Sequence, residues 1–177
     1  MVYHASQQAG LTRLLPRAST HGTPYVYAIN HRLTALFFGT PKDDFDLLLD
    51  EEAGRPVVYE CYPNALERVY SGKPCSLYTL GEEGFLAFQT GWEPELVCPE
   101  PAAVVREERI GDILEEILRG ASRGECTVHR HSEDEAYQEM LREELGSRAR
   151  DFGLSREQMA GDWRFPRYFP WLMEGIG

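Results

Sequence analysis

The sequence predicts an α+β fold in which short strands are gathered in one region and helices follow them. Residues 1–107 hold brief apolar and β-branched runs that glycine and proline separate, with only one or two helical stretches between them. Residues 108–177 instead carry apolar residues at helical spacing. Strands followed by helices are typical of α+β proteins, whereas strands that alternate with helices indicate a parallel βαβ fold.

Short runs rich in β-branched and aromatic residues are expected to form the strands of the first region. Several of them are bounded by turn residues, such as Gly22-Thr23-Pro24 before one strand and Gly81 after another. Asn30 is placed to cap a helix that continues to Phe38. The expected strands are residues 2–4, 25–28, 56–62, 76–80, 85–88, 95–98 and 102–105.

Amphipathic helices are expected after residue 107. Ser132 with Glu135, and Ser155 with Gln158, match the capping box that begins a helix. We therefore predict a β-rich domain at residues 1–107 and a helical extension at 108–177 that packs on it, because so short an extension has too little apolar surface for a core of its own. The first helix of the extension is predicted from apolar residues that recur on one helical face: Ile110, Ile113, Leu114, Ile117 and Leu118.

The charge and hydropathy of the chain argue against several kinds of partner. Its formal net charge of −11 lacks the basic surplus that nucleic-acid binding requires. No run approaches the ~20 apolar residues of a membrane helix, and polar residues after Tyr3 interrupt any signal-peptide core. The four cysteines match no zinc spacing and are expected to be buried thiols. We expect a soluble, cytoplasmic protein without a metal, a nucleic-acid partner or a membrane partner.

Three short segments far apart in sequence supply one histidine, one tyrosine and one glutamate, each in a strand-like run. They are Tyr3-His4-Ala5-Ser6, Pro24-Tyr25-Val26-Tyr27-Ala28 and Glu93-Pro94-Glu95-Leu96-Val97. The first resembles the opening motif of ADP-ribosyltransferases of the diphtheria-toxin and poly-ADP-ribose polymerase branch. The second resembles the Gly-Ile-Tyr-Phe-Ala-like strand of that branch, and the third resembles its Glu-Tyr-Val-Val strand.

The resemblance covers about residues 1–107 and implies a split antiparallel β-sheet that binds NAD as a substrate. It implies transfer of ADP-ribose to an acceptor, which is unknown and includes protein among its candidates, with release of nicotinamide. In that branch the histidine holds the nicotinamide ribose, the strand tyrosine lies under the nicotinamide ring, and the glutamate is catalytic. Carried over to this chain, those residues are His4, Tyr27 and Glu95.

The resemblance also implies a second ring and a backbone contact. The branch places a second aromatic eleven residues after the tyrosine, and Phe38 takes that position here. Phe38 offers a ring for stacking but lacks the hydroxyl of a tyrosine. Ala5 stands where glycine is common in the branch, and its backbone still offers the groups that hold the nicotinamide carboxamide.

These residue types suit the cleavage of NAD. The nicotinamide ring of NAD is cationic, and aromatic faces attract cations by roughly 0.5–2 kcal/mol. Breaking the bond between nicotinamide and ribose builds positive charge on the sugar, which a nearby carboxylate stabilises. Further NAD contacts are expected from residues in and after the first motif, with the two arginines at the diphosphate: Ser6, Arg13, Arg17, Thr20, His21 and Tyr25.

Other interpretations of the same sequence remain open. Glu60 is a second carboxylate in an apolar strand, and a buried carboxylate needs a function or a partner. His129 and His131 lie near Cys126, but the lack of a fourth ligand favours a solvated loop over a metal site. The chain is alternatively a catalytically silent NAD- or nucleotide-binding module, or a toxin or immunity component that blocks a protein partner through its acidic helices.

Overall fold

The computed structural model describes residues 1–18 and 23–174, which fold into two β-sheets and a set of helices. The strands are β1 (Val2–Ser6), β2 (Arg13–Leu14), β3 (Val26–Ile29), β4 (Leu47–Glu52), β5 (Arg55–Glu60), β6 (Cys75–Leu80), β7 (Leu86–Ala87), β8 (Glu95–Cys98), β9 (Ala102–Ile110) and β10 (Thr127–His129). The helices are α1 (Arg32–Leu36), α2 (Ala65–Tyr70), α3 (Ile113–Ser122), α4 (Glu135–Asp151), α5 (Arg156–Gly161), α6 (Arg164–Tyr168) and α7 (Pro170–Glu174).

The larger sheet has seven strands in the order β2-β9-β6-β1-β3-β8-β7, and its strand pairs are antiparallel. The smaller sheet has the order β10-β5-β4, in which β4 and β5 form an antiparallel hairpin and β10 joins β5 in parallel. Helices accompany both sheets without alternating regularly with the strands. The predicted α+β class is therefore confirmed at this level.

The larger sheet opens between its two central strands, β1 and β3. β1 pairs with β6 from Val2 to Ser6, whereas it pairs with β3 only where Tyr3 faces Ile29. From that pair towards Ser6, the neighbouring edges of β1 and β3 separate. On this edge of β3, the carbonyl of Tyr27 is bonded by the His4 side chain instead of by a strand.

One continuous hydrophobic core joins the sheets to the C-terminal helices. It includes Ala5 and Leu77 from the larger sheet, Val58 from the smaller sheet, and Leu145 and Phe165 from the region after residue 107. A second, smaller core covers the other face of the larger sheet: Val2, Leu14, Val26, Ala28, Tyr78, Leu80 and Cys98. The larger sheet is therefore packed on both faces.

The region after residue 107 is not purely helical, contrary to the sequence prediction. β9 continues to Ile110, which pairs with Cys75, so the predicted boundary at residue 107 falls inside a strand. β10 adds a second strand, in which Thr127 lies opposite Val57. Both departures arise from pairing with distant strands, which the local spacing of apolar residues does not reveal.

The helix starts in this region are set by side-chain caps. Ser155 and Gln158 form the predicted capping box, with both reciprocal hydrogen bonds present. The first amphipathic helix begins at Ile113 under an Asp112 cap. Before α4, the cap is Asp134 rather than Ser132, because the Asp134 carboxylate accepts the free N–H groups of Ala136 and Tyr137.

Arg164 anchors the last helices to the segment before β4. Its guanidinium donates to Asp46 at 2.8 Å and lies 3.0 Å from a carboxylate oxygen of Asp43. The hydroxyl of Tyr62 donates to the same oxygen of Asp46 at 2.7 Å. Although burial opposes the charge, hydrogen bonds to Asp162 and Asp43 raise the pKa of Arg164 above its usual range. The guanidinium therefore remains charged inside the fold.

Within residues 1–18 and 23–174, no helix has both the length and the apolar character needed to cross a membrane.

Candidate functional site

A cavity of about 360 Å³ lies beside the opening between β1 and β3. It collects residues from the first two sequence motifs and from the segment between them. Its lining includes six of the residues expected to contact NAD, namely His4, Ser6, Arg13, Arg17, Tyr25 and Tyr27, and also Gln8, Leu11, Leu14, Leu15, Ala18 and Val26.

His4 reaches across the opening of the sheet. Its Nδ1 lies 2.8 Å from the carbonyl oxygen of Tyr27. Because a carbonyl only accepts, Nδ1 is the protonated ring nitrogen, and Nε2 remains as an acceptor in the neutral imidazole. Burial lowers the pKa of His4, the bond to the Tyr27 carbonyl partly opposes this, and the positive charge of Arg17 lowers the pKa further. His4 is therefore a neutral acceptor at pH 7.

Two tyrosines and two arginines share the cavity with His4. The rings of Tyr25 and Tyr27 lie 6.1 Å apart in an edge-to-face arrangement. The backbone of Arg17 is bridged to that of Tyr25 by two hydrogen bonds of 3.0 and 3.1 Å, which attaches the preceding segment to this strand. Arg13 lies on β2, opposite Ala103 of β9. Guanidinium groups beside the residues that line one cavity suit a ligand with an anionic group.

Glu95 occupies a different position relative to the sheet. It begins β8 opposite Ile29, which in turn lies opposite Tyr3. Directly paired residues share a face of the sheet, and successive residues along a strand alternate between the two faces. The register therefore directs Glu95 to the same face as Tyr3. His4, which follows Tyr3 in β1, is directed to the opposite face. Tyr27 shares the face of Glu95 and lies opposite Val97. His4 and Tyr27 both line the cavity at the opening of the sheet although the register directs their side chains to opposite faces, whereas Glu95 is not among the lining residues.

Phe38 lies apart from the cavity of His4 and Tyr27. It follows α1, contacts Trp92 at a ring-centroid distance of 5.7 Å, and has the Nζ of Lys42 at 5.2 Å from its ring centroid. An ammonium group near this ring repels a cationic nicotinamide, which weakens the expected stacking role. Phe38 lines a neighbouring groove together with Ala5 and Ser6.

Ser6 connects the two depressions, since it lines both the cavity and the groove beside Phe38. Ala5 is buried and contributes its side chain to the main core. Thr20 and His21 were also expected to contact NAD, but they lie outside the described residues.

Glu60 is accounted for by contacts within the fold. Its side chain is only 2 % exposed, and the guanidinium of Arg130 donates to it at 3.0 Å. The backbone N–H groups of Leu66 and His131 also donate to this carboxylate, at 3.0 and 3.1 Å. Glu60 therefore fastens α2 and the segment after β10 to the smaller sheet, and it lies away from the His4 cavity.

His129 and the four cysteines make contacts within the fold. His129 stacks on Tyr59 with ring centroids 4.5 Å apart. In the described ranges 1–18 and 23–174, no three metal-ligating side chains converge. The four cysteines are buried free thiols, and burial raises the pKa of Cys75 to about 11. A buried protonated thiol is a poor nucleophile, which agrees with their predicted role as core residues.

Sequence reasoning missed several residues that line the cavity. Gln8, Leu11 and Leu15 follow the first motif in a segment without regular periodicity. Their positions depend partly on Tyr78, whose hydroxyl donates to the Gln8 carbonyl at 2.8 Å and accepts from the Leu11 N–H at 3.2 Å.

Comparison of the chain with protein-family models, with curated proteins and with solved structures returned no match.

Proposed function

We propose that the chain transfers ADP-ribose from NAD to an acceptor and releases nicotinamide. One observation carries this proposal: two residues from separate motifs, His4 and Tyr27, line one cavity at an opening in an antiparallel sheet. The cavity also holds Arg13 and Arg17 in a chain whose net charge is −11. Two cations in so acidic a chain favour a ligand with an anionic group, such as the diphosphate of NAD.

In this proposal the cavity residues bind and orient NAD. The Nε2 of His4, which is the acceptor of a neutral imidazole, receives a hydrogen bond from a hydroxyl of the nicotinamide ribose. The ring of Tyr27, on the face of Glu95, contacts the cationic nicotinamide, and the guanidinium groups of Arg13 and Arg17 contact the diphosphate. Holding the ribose in one pose reduces the entropy that the reaction would otherwise lose.

Glu95 carries the electrostatic part of the proposed reaction. As the bond between ribose and nicotinamide breaks, the pair of bonding electrons leaves with nicotinamide and positive charge develops on the sugar. A carboxylate beside the ribose stabilises that charge, and the acceptor then attacks the same carbon and loses a proton. This role requires the ribose to extend through the opening between β1 and β3, towards the face that holds Glu95.

The alternative is a catalytically silent nucleotide-binding module. The strand register favours it, because Glu95 and His4 are directed to opposite faces of the larger sheet. Lys42, with its ammonium near the Phe38 ring, also favours a module that does not clamp nicotinamide between two rings. Both candidate functions include binding of a nucleotide at the cavity of His4. Only the transferase also cleaves NAD.

Two assays on the same protein separate the candidates. NAD binding is measured by isothermal titration calorimetry, and turnover is measured with NAD labelled on the nicotinamide and, separately, on the adenosine. Transfer predicts nicotinamide release together with adenosine label on an acceptor, and it predicts that Glu95→Gln loses both signals while the exposed control Glu93→Gln keeps them. Binding without release supports the silent module, and the absence of binding contradicts both candidates.

A further inference from the structure

A second pocket lies between Phe38, β4 with the segment that precedes it, and the end of α4. Its volume is about 310 Å³, which is at the lower end of the range for small-molecule sites. Three aromatic rings, two cations, one carboxylate and two leucines line it: Phe38, Trp92, Phe152, Lys42, Arg148, Asp44, Leu47 and Leu49. None of these residues lines the cavity of His4.

Lys42 supplies one of the two positive charges of this pocket. Its side chain is only 10 % exposed, and its Nζ lies 3.6 Å from a carboxylate oxygen of Asp44, beyond hydrogen-bond distance. The same Nζ lies 5.2 Å from the centre of the Phe38 ring. An ammonium group has three N–H donors, and no hydrogen bond from this Nζ is present among the described residues. The ammonium is not among the buried side-chain atoms that lack a partner in the described residues, so its unused donors face the opening of the pocket, where an anionic ligand can accept from them.

Arg148 adds a second positive charge to the same pocket. Its guanidinium donates to the backbone carbonyl of Asp44 at 2.7 Å, and no carboxylate pairs with it in the part of the chain that the structure describes. Asp44 therefore contacts both cations but supplies only one negative charge, and it is half exposed. The lining carries a net charge of +1 in a chain whose net charge is −11, so an anion is the ligand that balances it.

The aromatic rings define the rest of the ligand. Phe38 and Phe152 are 40 % and 55 % exposed, so the pocket leaves apolar ring surface in contact with water. Phe38 also contacts the ring of Trp92 at 5.7 Å. Flat apolar groups pack well against such rings. An aromatic body covers the exposed rings, while an acidic group reaches the unused donors of Lys42.

We propose that this pocket binds a small aromatic carboxylate, with its ring against Phe38, Trp92 and Phe152 and its carboxylate at Lys42 and Arg148. The proposal goes beyond ADP-ribose transfer and does not depend on NAD binding, because the two lining sets share no residue. Hydrogen bonds to charged groups contribute more than neutral ones. Charge and ring are therefore both required for affinity.

The probe is 2-naphthoate, compared with the neutral 2-naphthamide and with the non-aromatic cyclohexanecarboxylate, each titrated by calorimetry. We expect 2-naphthoate to bind most tightly and Lys42→Gln to weaken it about tenfold or more. Lys73→Gln is the matched control, because Lys73 is exposed and lies outside this pocket. Arg17→Gln tests the other cavity, since Arg17 lines only that one of the two.

A second measurement in the unmodified protein covers the case in which Lys42→Gln does not fold. In ¹H–¹⁵N NMR spectra, the indole resonance of Trp92, assigned with Trp92→Phe, is expected to shift with 2-naphthoate and not with 2-naphthamide at the same concentration. Equal affinity for the acid and the amide, equal affinity of Lys42→Gln and the unmodified chain, or loss of binding only in Arg17→Gln would each overturn the proposal. So would a concentration-dependent dimer that Phe152→Ser abolishes, because the pocket would then be covered by a second copy.

Discussion

Replacing Arg164 with methionine is expected to destabilise the whole chain, because the change leaves the buried carboxylate of Asp46 without its cation. Arg164 donates to Asp46 at 2.8 Å and lies 3.0 Å from Asp43. Breaking a buried pair by removing one partner typically costs 3–5 kcal/mol. Asp46 keeps two donors, the hydroxyl of Tyr62 at 2.7 Å and the backbone N–H of Asp43 at 2.9 Å. The expected loss is therefore near the lower limit, about 3 kcal/mol.

Urea and thermal unfolding, followed by circular dichroism, measure this loss. For a chain of this length, 3 kcal/mol corresponds to a fall in Tm of roughly 6–12 °C. The exposed Arg156→Met is the control and is expected to change stability by less than about 0.5 kcal/mol. Adding Asp46→Asn to Arg164→Met removes the stranded charge but keeps an acceptor for Tyr62, so part of the stability returns. Equal stability of Arg164→Met and the Arg156 control would refute the argument, and it would show that this network does not anchor the C-terminal helices.

Four further outcomes are expected. Glu95→Gln lowers nicotinamide release by about 10²–10³ with NAD affinity largely retained, since the lost charge acts mainly in the transition state; unchanged turnover beside Glu93→Gln would make Glu95 structural. Tyr27→Ala weakens NAD binding more than turnover, because contact between the ring and nicotinamide already acts in the bound state before the reaction. A calorimetric Kd equal to that of the unmodified chain would contradict this expectation. Burial lowers the pKa of His4 below 6.5, so the unfolded chain binds more protons than the folded chain as pH falls through 6.5. Stability in urea therefore falls with acidification, and His4→Asn, which keeps a donor for the Tyr27 carbonyl, should flatten that dependence; an identical pH profile would argue against it. A chain that ends at Gly111 loses the core residues of the last helices and should lack cooperative melting, whereas an unchanged Tm would show that the extension is separable.

The sequence predicted those elements whose signals lie within a few neighbouring residues. The strand at residues 95–98 has the predicted bounds, and the capping box at Ser155 is present as predicted. Each of these signals lies within a few neighbouring residues, so it survives in any tertiary context. By contrast, β4 was not predicted. The acidic residues mixed with the leucines between Asp43 and Asp50 leave no clear strand pattern in the sequence. Its pairing with β5 decides that this segment is a strand.

The candidate site was predictable in part. The local contexts of His4 and Tyr27 singled them out in the sequence, and both line one cavity in the structure. The face of Glu95 was not predictable, because it depends on the register in which Glu95 lies opposite Ile29 and Ile29 opposite Tyr3. A shift of one residue in the pairing of these strands would direct Glu95 to the opposite face, and no nearby residue in the sequence specifies the register.

By itself, the sequence determined the α+β class, the amphipathic helix that follows β9 and the burial of the cysteines. Those properties follow from composition and from periodicity over a few turns or strand repeats. Only the tertiary structure decided that β1 and β3 separate after a single pair, and that Lys42 meets residues as distant as Arg148 and Phe152 in one pocket. The pocket of Lys42 joins segments more than a hundred residues apart, and both arrangements are selected by the packing of the whole chain rather than by any local preference.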